Sequence, residues 1–455
     1  MLKTKPILFI LFSLFFFFML SDPALSQERE ETSSHFKLEN GLDVFLYKKT
    51  TLPLVHFVFG FDVGSKDELI HASGMVHILE HCILFRGTKF IDDTDFPLEI
   101  RKHGAYYNAH TGRDLSVFEM TLPSEHCEFA LGSLKQILFD FHLKQKNLED
   151  EKQVILEELN QIHDDPYKTA VSVLYQNLFQ NHPYHSPVYG SKAVIQEMTA
   201  EDIMSFYSRY FVPSNSALAV VGDFSLSDME ETIQSVLGSL PSTEFQNPDF
   251  QDIKPLKETI RKTIQMDVDM GYLAIGLNAP GYNSKDQYAA DLLTEIFGRG
   301  FNPLINQPLL RRRIQAHSLR MAYFCDQYGG AITLFIGMDP KQIPAAESEI
   351  IKYLKTSRTL NYSKSDYSSD TRFHAFDILK SAQNRIKYKI EESGEQGLLI
   401  GLSLVRHLLM SELQDRGDYL EKINSLNSSD IRQAAGDYFS QKGKVIVRIL
   451  PQEKE

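Results

Sequence analysis

His77, Glu80 and His81 fall within five consecutive residues, and their spacing carries a chemical meaning. A helix turns about 100° per residue, so these three side chains project within an arc of about 100°. Two imidazoles one turn apart can both direct a nitrogen at a metal ion about 2.0–2.1 Å away. A carboxylate beside them, held off the metal, is placed to take a proton from water whose pKa the metal lowers from roughly 15.7 to about 7. This is the equipment of metal-assisted hydrolysis. Two histidines leave zinc short of the three protein ligands of a hydrolytic site, so a neighbouring element is expected to add a carboxylate or imidazole. Segment 149–162 offers Glu151, Glu157 and Glu158 among Val154, Ile155, Leu156, Leu159 and Ile162. Glu158 lies two turns beyond Glu151 and shares its face, whereas Glu157 is rotated by about 100° and matches a solvated acidic surface.

The spacing needs a scaffold. A helix is expected over 74–85, with Ile78 and Leu79 turned to packing, and amphipathic helices over 124–138 and 149–162. Strand patterns precede and separate them: Phe36-Lys37-Leu38 and Val44-Phe45-Leu46-Tyr47 flank the turn Asn40-Gly41, Leu54 to Asp62 alternates, and 105–108 and 115–122 read as extended. One long helical region then leads to an apolar strand at 217–221. The polar, proline-bearing stretch PSTEFQNPDFQDIKP breaks this rhythm, and strands at 259–268, 273–277, 319–324, 332–336 and 445–450, with a helix near 285–297, repeat it. The expectation is an α+β fold of two homologous domains, each a mainly antiparallel sheet packed with helices, spanning 27–242 and 257–455 with a linker at 243–256.

Composition narrows the function classes. The 455 residues carry 47 Lys and Arg against 60 Asp and Glu, a net charge of −13, which disfavours a nucleic-acid partner. Cys82, Cys127 and Cys325 are too few and too scattered for a disulfide framework or a cysteine-rich zinc site. Residues 1–26 read as a secretory signal peptide: Lys3 and Lys5 precede an apolar run, 7–20, that is shorter than the roughly 20 residues of a membrane span. Ala24-Leu25-Ser26 supplies small residues at the cleavage site. The expected product is exported, periplasmic or secreted, with no membrane span after signal removal, or anchored if the signal is retained.

The pattern His77-x-x-Glu80-His81 resembles the inverted zinc motif of the inverzincins, the pitrilysin and mitochondrial-processing-peptidase family, in its bacterial half-length form of about 450 residues. Gly74 before the motif, Phe85-Arg86-Gly87-Thr88 after it, Gly104 to Thr111, His182-Pro183-Tyr184, Gly190 and Val221-Gly222-Asp223 also match that family. Between His81 and Glu158 lie 76 residues, the spacing at which the family places its third ligand. The resemblance therefore implies zinc held by His77, His81 and Glu158, with Glu80 as general base and later proton donor, and Glu151 supporting the ligands from behind. It further implies a peptide gripped as an added strand along an edge that includes Asn108, Ala109 and Thr111.

One departure concerns the second half. Members that act alone carry an Arg and, seven residues later, a Tyr that contacts the substrate; here Arg311 matches the first, but the second position is Ser318. Tyr323 lies five residues further on. Arg311 to Arg313 also fit a solvated basic helix end. The resemblance then implies a zinc-bearing subunit that works in a dimer, homologous or identical, whose partner supplies the Arg and Tyr. The expected function is a zinc metalloendopeptidase acting on unfolded peptides or exposed segments. The alternative is a non-catalytic assembly subunit on the same fold.

Overall fold

The computed structural model describes residues 32–86, 96–246, 248, 250, 253–300, 303–363, 377–410 and 419–452. The expected signal peptide, and Gly87-Thr88 of the motif, lie outside them. In the first half six strands form one sheet: β1 (Ser33–Lys37), β2 (Asp43–Lys48), β3 (Leu54–Phe61), β4 (Tyr106–Thr111), β5 (Ser116–Pro123) and β6 (Ser216–Gly222). Their order is β1-β2-β6-β3-β5-β4. Asn40-Gly41 turns β1 into β2, with Gly41 at φ +95° and Lys37 paired with Asp43. The second half forms a five-stranded sheet from β7 (Thr259–Met266), β8 (Gly271–Ala279), β9 (Ser318–Cys325), β10 (Gly330–Met338) and β11 (Lys444–Pro451), ordered β7-β11-β8-β10-β9.

Without β1, the two sheets have the same strand order and the same directions. Each is antiparallel apart from one parallel pair, β2 with β6 and β7 with β11. The fold is thus α+β, with two mixed sheets built on one plan. The parallel pair exists because the last strand of each unit returns through a helical crossover and enters beside the first. Among the described residues of 243–256 there is no helix or strand.

The helices that concern the site are α1 (Met75–Phe85), α2 (Cys127–Phe139), α3 (Gln145–Asp164), α4 (Pro166–Leu178), α5 (Gln287–Gly298), α6 (Asn306–Arg311), α7 (Ile343–Thr356) and α8 (Gly397–Met410). The long helical region expected before β6 is broken into separate helices. Asp165 ends α3 and caps α4, accepting the Tyr167 and Lys168 N–H groups, while Pro166 occupies the first turn, where its missing N–H costs nothing. Pro183 opens a single 3₁₀ turn after α4.

Alternation along β3 divides the first sheet into two faces. Val55, Phe57, Phe59 and Phe61 pack with residues of α1 and α2 in the largest apolar cluster. Val58, on the other face, meets a helix from the far half of the chain: Ile400, Leu404 and Val405 of α8 pack on Phe45, Val58, Val117, Ala219 and Val221. The exchange is reciprocal. Ala170, Leu174, Tyr175 and Leu178 of α4, a first-half helix, pack on Ala274, Phe335, Val445, Val447 and Ile449 of the second sheet. Glycines let the helices seat closely, since a Cβ on Gly60 would fall 2.2 Å from Val405 Cγ1. Each fully buried leucine in these seams contributes about 1.5–3 kcal/mol. Polar bonds add to the seam: Asp114 accepts from Tyr184 Oη at 2.5 Å and from the Gln327 backbone N–H at 2.9 Å, and Tyr175 Oη donates to Asp326 at 2.9 Å.

Candidate metal centre

The site is carried by α1, α3 and β4. Gly74 stands at the N-terminus of α1 with φ +95°, a left-handed conformation natural to glycine. Ahead of it, the buried Glu68 carboxylate accepts the Gly74 and Val76 N–H groups, each at 2.8 Å, which satisfies two donors that the helix start leaves unpaired. A second glycine abuts the first: Gly190, at φ +76°, lies so close that a Cβ on it would fall 2.6 Å from Gly74 Cα. This contact brings Tyr189 edge-on against the His77 ring, centroids 5.1 Å apart.

On α3 the buried positions are Leu148, Glu151, Lys152, Ile155, Glu158, Leu159 and Ile162. These are the stripe that a helix presents to its core, and two of its members are acids aimed at α1. Glu157, one residue off the stripe, is exposed. The structure thereby separates the three candidate carboxylates by rotation alone.

His77, His81 and Glu158 converge, with one ligand-type atom from each lying within 4.8 Å of the others. Glu158 Oε2 is 3.4 Å from His81 Nε2 and 3.7 Å from His77 Nε2. Two ligands about 2.0–2.1 Å from a tetrahedral zinc would stand roughly 3.3 Å apart, so the trio would close by up to about 1.5 Å to hold one. Glu158 Oε1 is buried with no hydrogen-bond partner, an acceptor that the protein itself leaves unsatisfied. The donor set of two imidazoles and a carboxylate is one that zinc accepts. The residues fit the ion.

Neighbours orient the ligands. His81 Nδ1 lies 2.9 Å from Glu151 Oε1, which leaves Nε2 facing Glu158, and Arg86 Nε donates to the second Glu151 oxygen at 2.5 Å. Burial, reinforced by the His81 charge, pushes His77 down to about 3, so its imidazole is neutral and open to a metal. Burial also opposes the charge on His81, but its hydrogen bonds to Glu151 and Glu158 and the Glu80 charge outweigh it and push His81 up to about 10. For Glu158, burial is likewise overcome, here by the two histidines, and its carboxyl is held below the ordinary range. His77 Nδ1 is buried without a partner.

Glu80 is buried beside the trio and is not one of its three members. It accepts a hydrogen bond from the Thr111 hydroxyl, which fixes it against the end of β4. Burial raises its pKa, with His81 and Thr111 opposing. β4 is the outermost strand of its sheet, paired on one side with β5. Of the three residues expected along this edge, Thr111 reaches Glu80, and Asn108 lies on the opposite face. The Ala109 side chain is buried in the core, so it offers only its backbone.

Arg311 is exposed at the end of α6, a helix that packs on α7, and makes no hydrogen bond or ion pair among the described residues. Tyr323 is half-buried in β9, its hydroxyl donating to the Pro280 carbonyl at 2.7 Å. Outside the trio, His103 stacks on Phe129, and His185 bonds to the His182 carbonyl. The three cysteines are free thiols. Sequence reasoning missed Glu68, Tyr189 and the assignment of Arg86 to Glu151. None follows a local period, and only the family-matching glycines hinted at the contact beneath Tyr189.

Two family models match in succession, one described as Insulinase (Peptidase family M16) over residues 44–192 and the other as Peptidase M16 inactive domain over 197–368. The zinc protease PqqE of Helicobacter pylori is 26% identical over 426 residues, covering 91% of this chain and 92% of that protein. An uncharacterized zinc protease of Rickettsia bellii is 24% identical over 411 residues, 89% and 94% of the two chains. The crystal structure of a protease from Helicobacter pylori has the same fold, with a TM-score of 0.81 at 23% identity, and aligns over 92% of this chain and all of that one.

Proposed function

Since the chain belongs to the M16 peptidase family, we propose that it is a zinc-dependent endopeptidase that hydrolyses peptide bonds in unfolded peptides or exposed segments. The observation that carries this reading is the convergence of His77, His81 and Glu158, from two helices far apart in sequence, with Glu80 left beside them. Zinc held by the three side chains would supply Lewis acidity, which lowers the pKa of water and polarises a scissile carbonyl. Glu80 takes the proton of the attacking water and passes it to the leaving amine. Thr111 holds the Glu80 carboxylate by its hydroxyl, and Glu151 holds the His81 ring so that Nε2 faces the site. A peptide laid along the free side of β4 enters as an added strand next to Glu80.

The second half holds no comparable trio among the described residues, and the Tyr323 hydroxyl is committed to Pro280. These two facts support a dimer in which a homologous or identical partner supplies the missing Arg and Tyr. Export is proposed from residues 1–26; no helix among the described residues is long and apolar enough to cross a membrane.

The purified full-length chain is expected to contain about one zinc per molecule, measured by elemental analysis, and His77→Ala to lose it. Chelation should abolish cleavage of an unstructured fluorogenic peptide, tested for the chain alone and with its co-purified partner. A chain that neither contains nor takes up zinc would instead be the assembly subunit.

A further inference from the structure

The face of β4 turned away from α1 carries a group that the hydrolytic scheme does not use. Glu119 is 2% exposed in β5, at the register position opposite Asn108 of β4. Directly opposed residues of an antiparallel pair share a face, so Glu119 lies under Asn108 with Tyr106 and His110 as its diagonal neighbours. On the other side its partner is Val58 of β3, an apolar residue. The charge is only partly met. His110 Nε2 stands 3.7 Å from Glu119 Oε1, an ion-pair distance beyond hydrogen-bond range, and 3.3 Å from Asn108 Nδ2, while Glu119 Oε2 is buried with no partner. The other titratable groups facing it are the Tyr106 hydroxyl, raised by burial, by the Glu119 charge and by a hydrogen bond to Glu119, and His56, lowered by burial against that charge. His56 Nδ1 is engaged with Thr121 Oγ1 at 2.8 Å.

A carboxylate inside a sheet with one oxygen left unpaired is costly unless a further donor, best a cation, answers it. The sheet ends on this side: Tyr106 is 53% exposed, and among the described residues no strand follows β4. We propose that Glu119, reached across Asn108 between Tyr106 and His110, is a specificity-determining residue that selects a lysine or arginine side chain of a peptide added along β4. The distances allow it. Two strand spacings, roughly 10 Å, separate β5 from an added strand, and an extended lysine or arginine together with a glutamate spans about that length. Asn108 precedes Thr111, the residue bonded to Glu80, by three positions, so the selected side chain lies roughly three residues from the cleaved bond. The inference rests on the peptidase reading for the premise that a peptide occupies this edge.

The test walks a single lysine along an otherwise neutral, unstructured peptide and compares cleavage by the full-length wild type and by Glu119→Gln, after matching their zinc contents and melting temperatures. The wild type is expected to prefer lysine at one position by about ten- to a hundredfold over leucine there, through KM more than kcat, and Glu119→Gln to lose that preference. Equal cleavage at all lysine positions by the wild type would overturn the proposal without any variant, as would an unchanged preference in Glu119→Gln. If the chain cleaves nothing, the same labelled peptides are titrated by fluorescence anisotropy. Lysine-selective binding that Glu119→Gln abolishes would then support the subsite while the hydrolytic reading fails. Binding indifferent to lysine would sink the subsite itself.

Discussion

Glu80→Gln should retain its zinc and lose peptide cleavage, with kcat down by about 10²–10⁴-fold. The substitution is nearly isosteric, and its amide oxygen can still accept the Thr111 hydroxyl, so the wall of the site beside β4 stays in place. What disappears is the proton acceptor, and general acid–base groups typically contribute a rate factor of that size. The three residues proposed to hold the ion are untouched, so elemental analysis should return the wild-type zinc content. The pairing of the two measurements matters: His77→Ala abolishes activity together with metal, whereas Glu80→Gln separates them. A Glu80→Gln protein that turns over peptide normally with zinc bound would remove Glu80 from its role as base.

Gly190→Ala should lower the melting temperature by about 5–15 °C and reduce zinc retention, although Gly190 is not one of the three proposed ligands. Two penalties combine. At φ +76° an alanine pays about 1–2 kcal/mol for a left-handed backbone. Its Cβ would also fall 2.6 Å from Gly74 Cα and 2.6 Å from the Ser73 carbonyl oxygen, both backbone atoms that cannot swing aside. Relieving that overlap costs about 1–3 kcal/mol more and moves the start of α1, the helix that bears both histidines. Gly132, inside α2, is the control: nothing lies within 4 Å of its added Cβ, so Gly132→Ala should leave zinc unchanged and raise stability by up to about 1 kcal/mol. Calorimetry and elemental analysis on the three proteins decide the matter, and equal melting temperatures for Gly190→Ala and wild type would defeat the account.

Much of this site is legible in the sequence because its signals are local. His77 and His81 are one turn apart, Glu151 and Glu158 two turns apart, and helical rotation alone groups each pair. The strands and the repeated β-then-α rhythm followed from alternation and turn residues in the same way. The rest depends on contacts between distant segments. Glu68 caps α1 from an irregular stretch with no period. The Gly74–Gly190 contact joins residues over a hundred positions apart. Glu119 sits in an ordinary strand pattern, where nothing marks it as a charge under the free edge rather than a solvated one. The seat of α8 was equally hidden: its apolar residues, Leu398 to Met410, run nearly all round the helix and announce burial, but not that the burial would be on the sheet of the other half.

That seat bears on how the protein is made. The first sheet is complete at Gly222, yet the helix covering its outer face begins at Gly397, about 175 residues later. At roughly 5–20 residues per second, a nascent chain would carry Phe45, Val58 and Val221 uncovered for about 10–35 s. In an exported protein held unfolded until translocation, that interval is set instead by the time the chain takes to cross the membrane. Cytosolic expression without residues 1–26 should force the early half to wait for α8, with chaperone demand or inclusion bodies as the expected result.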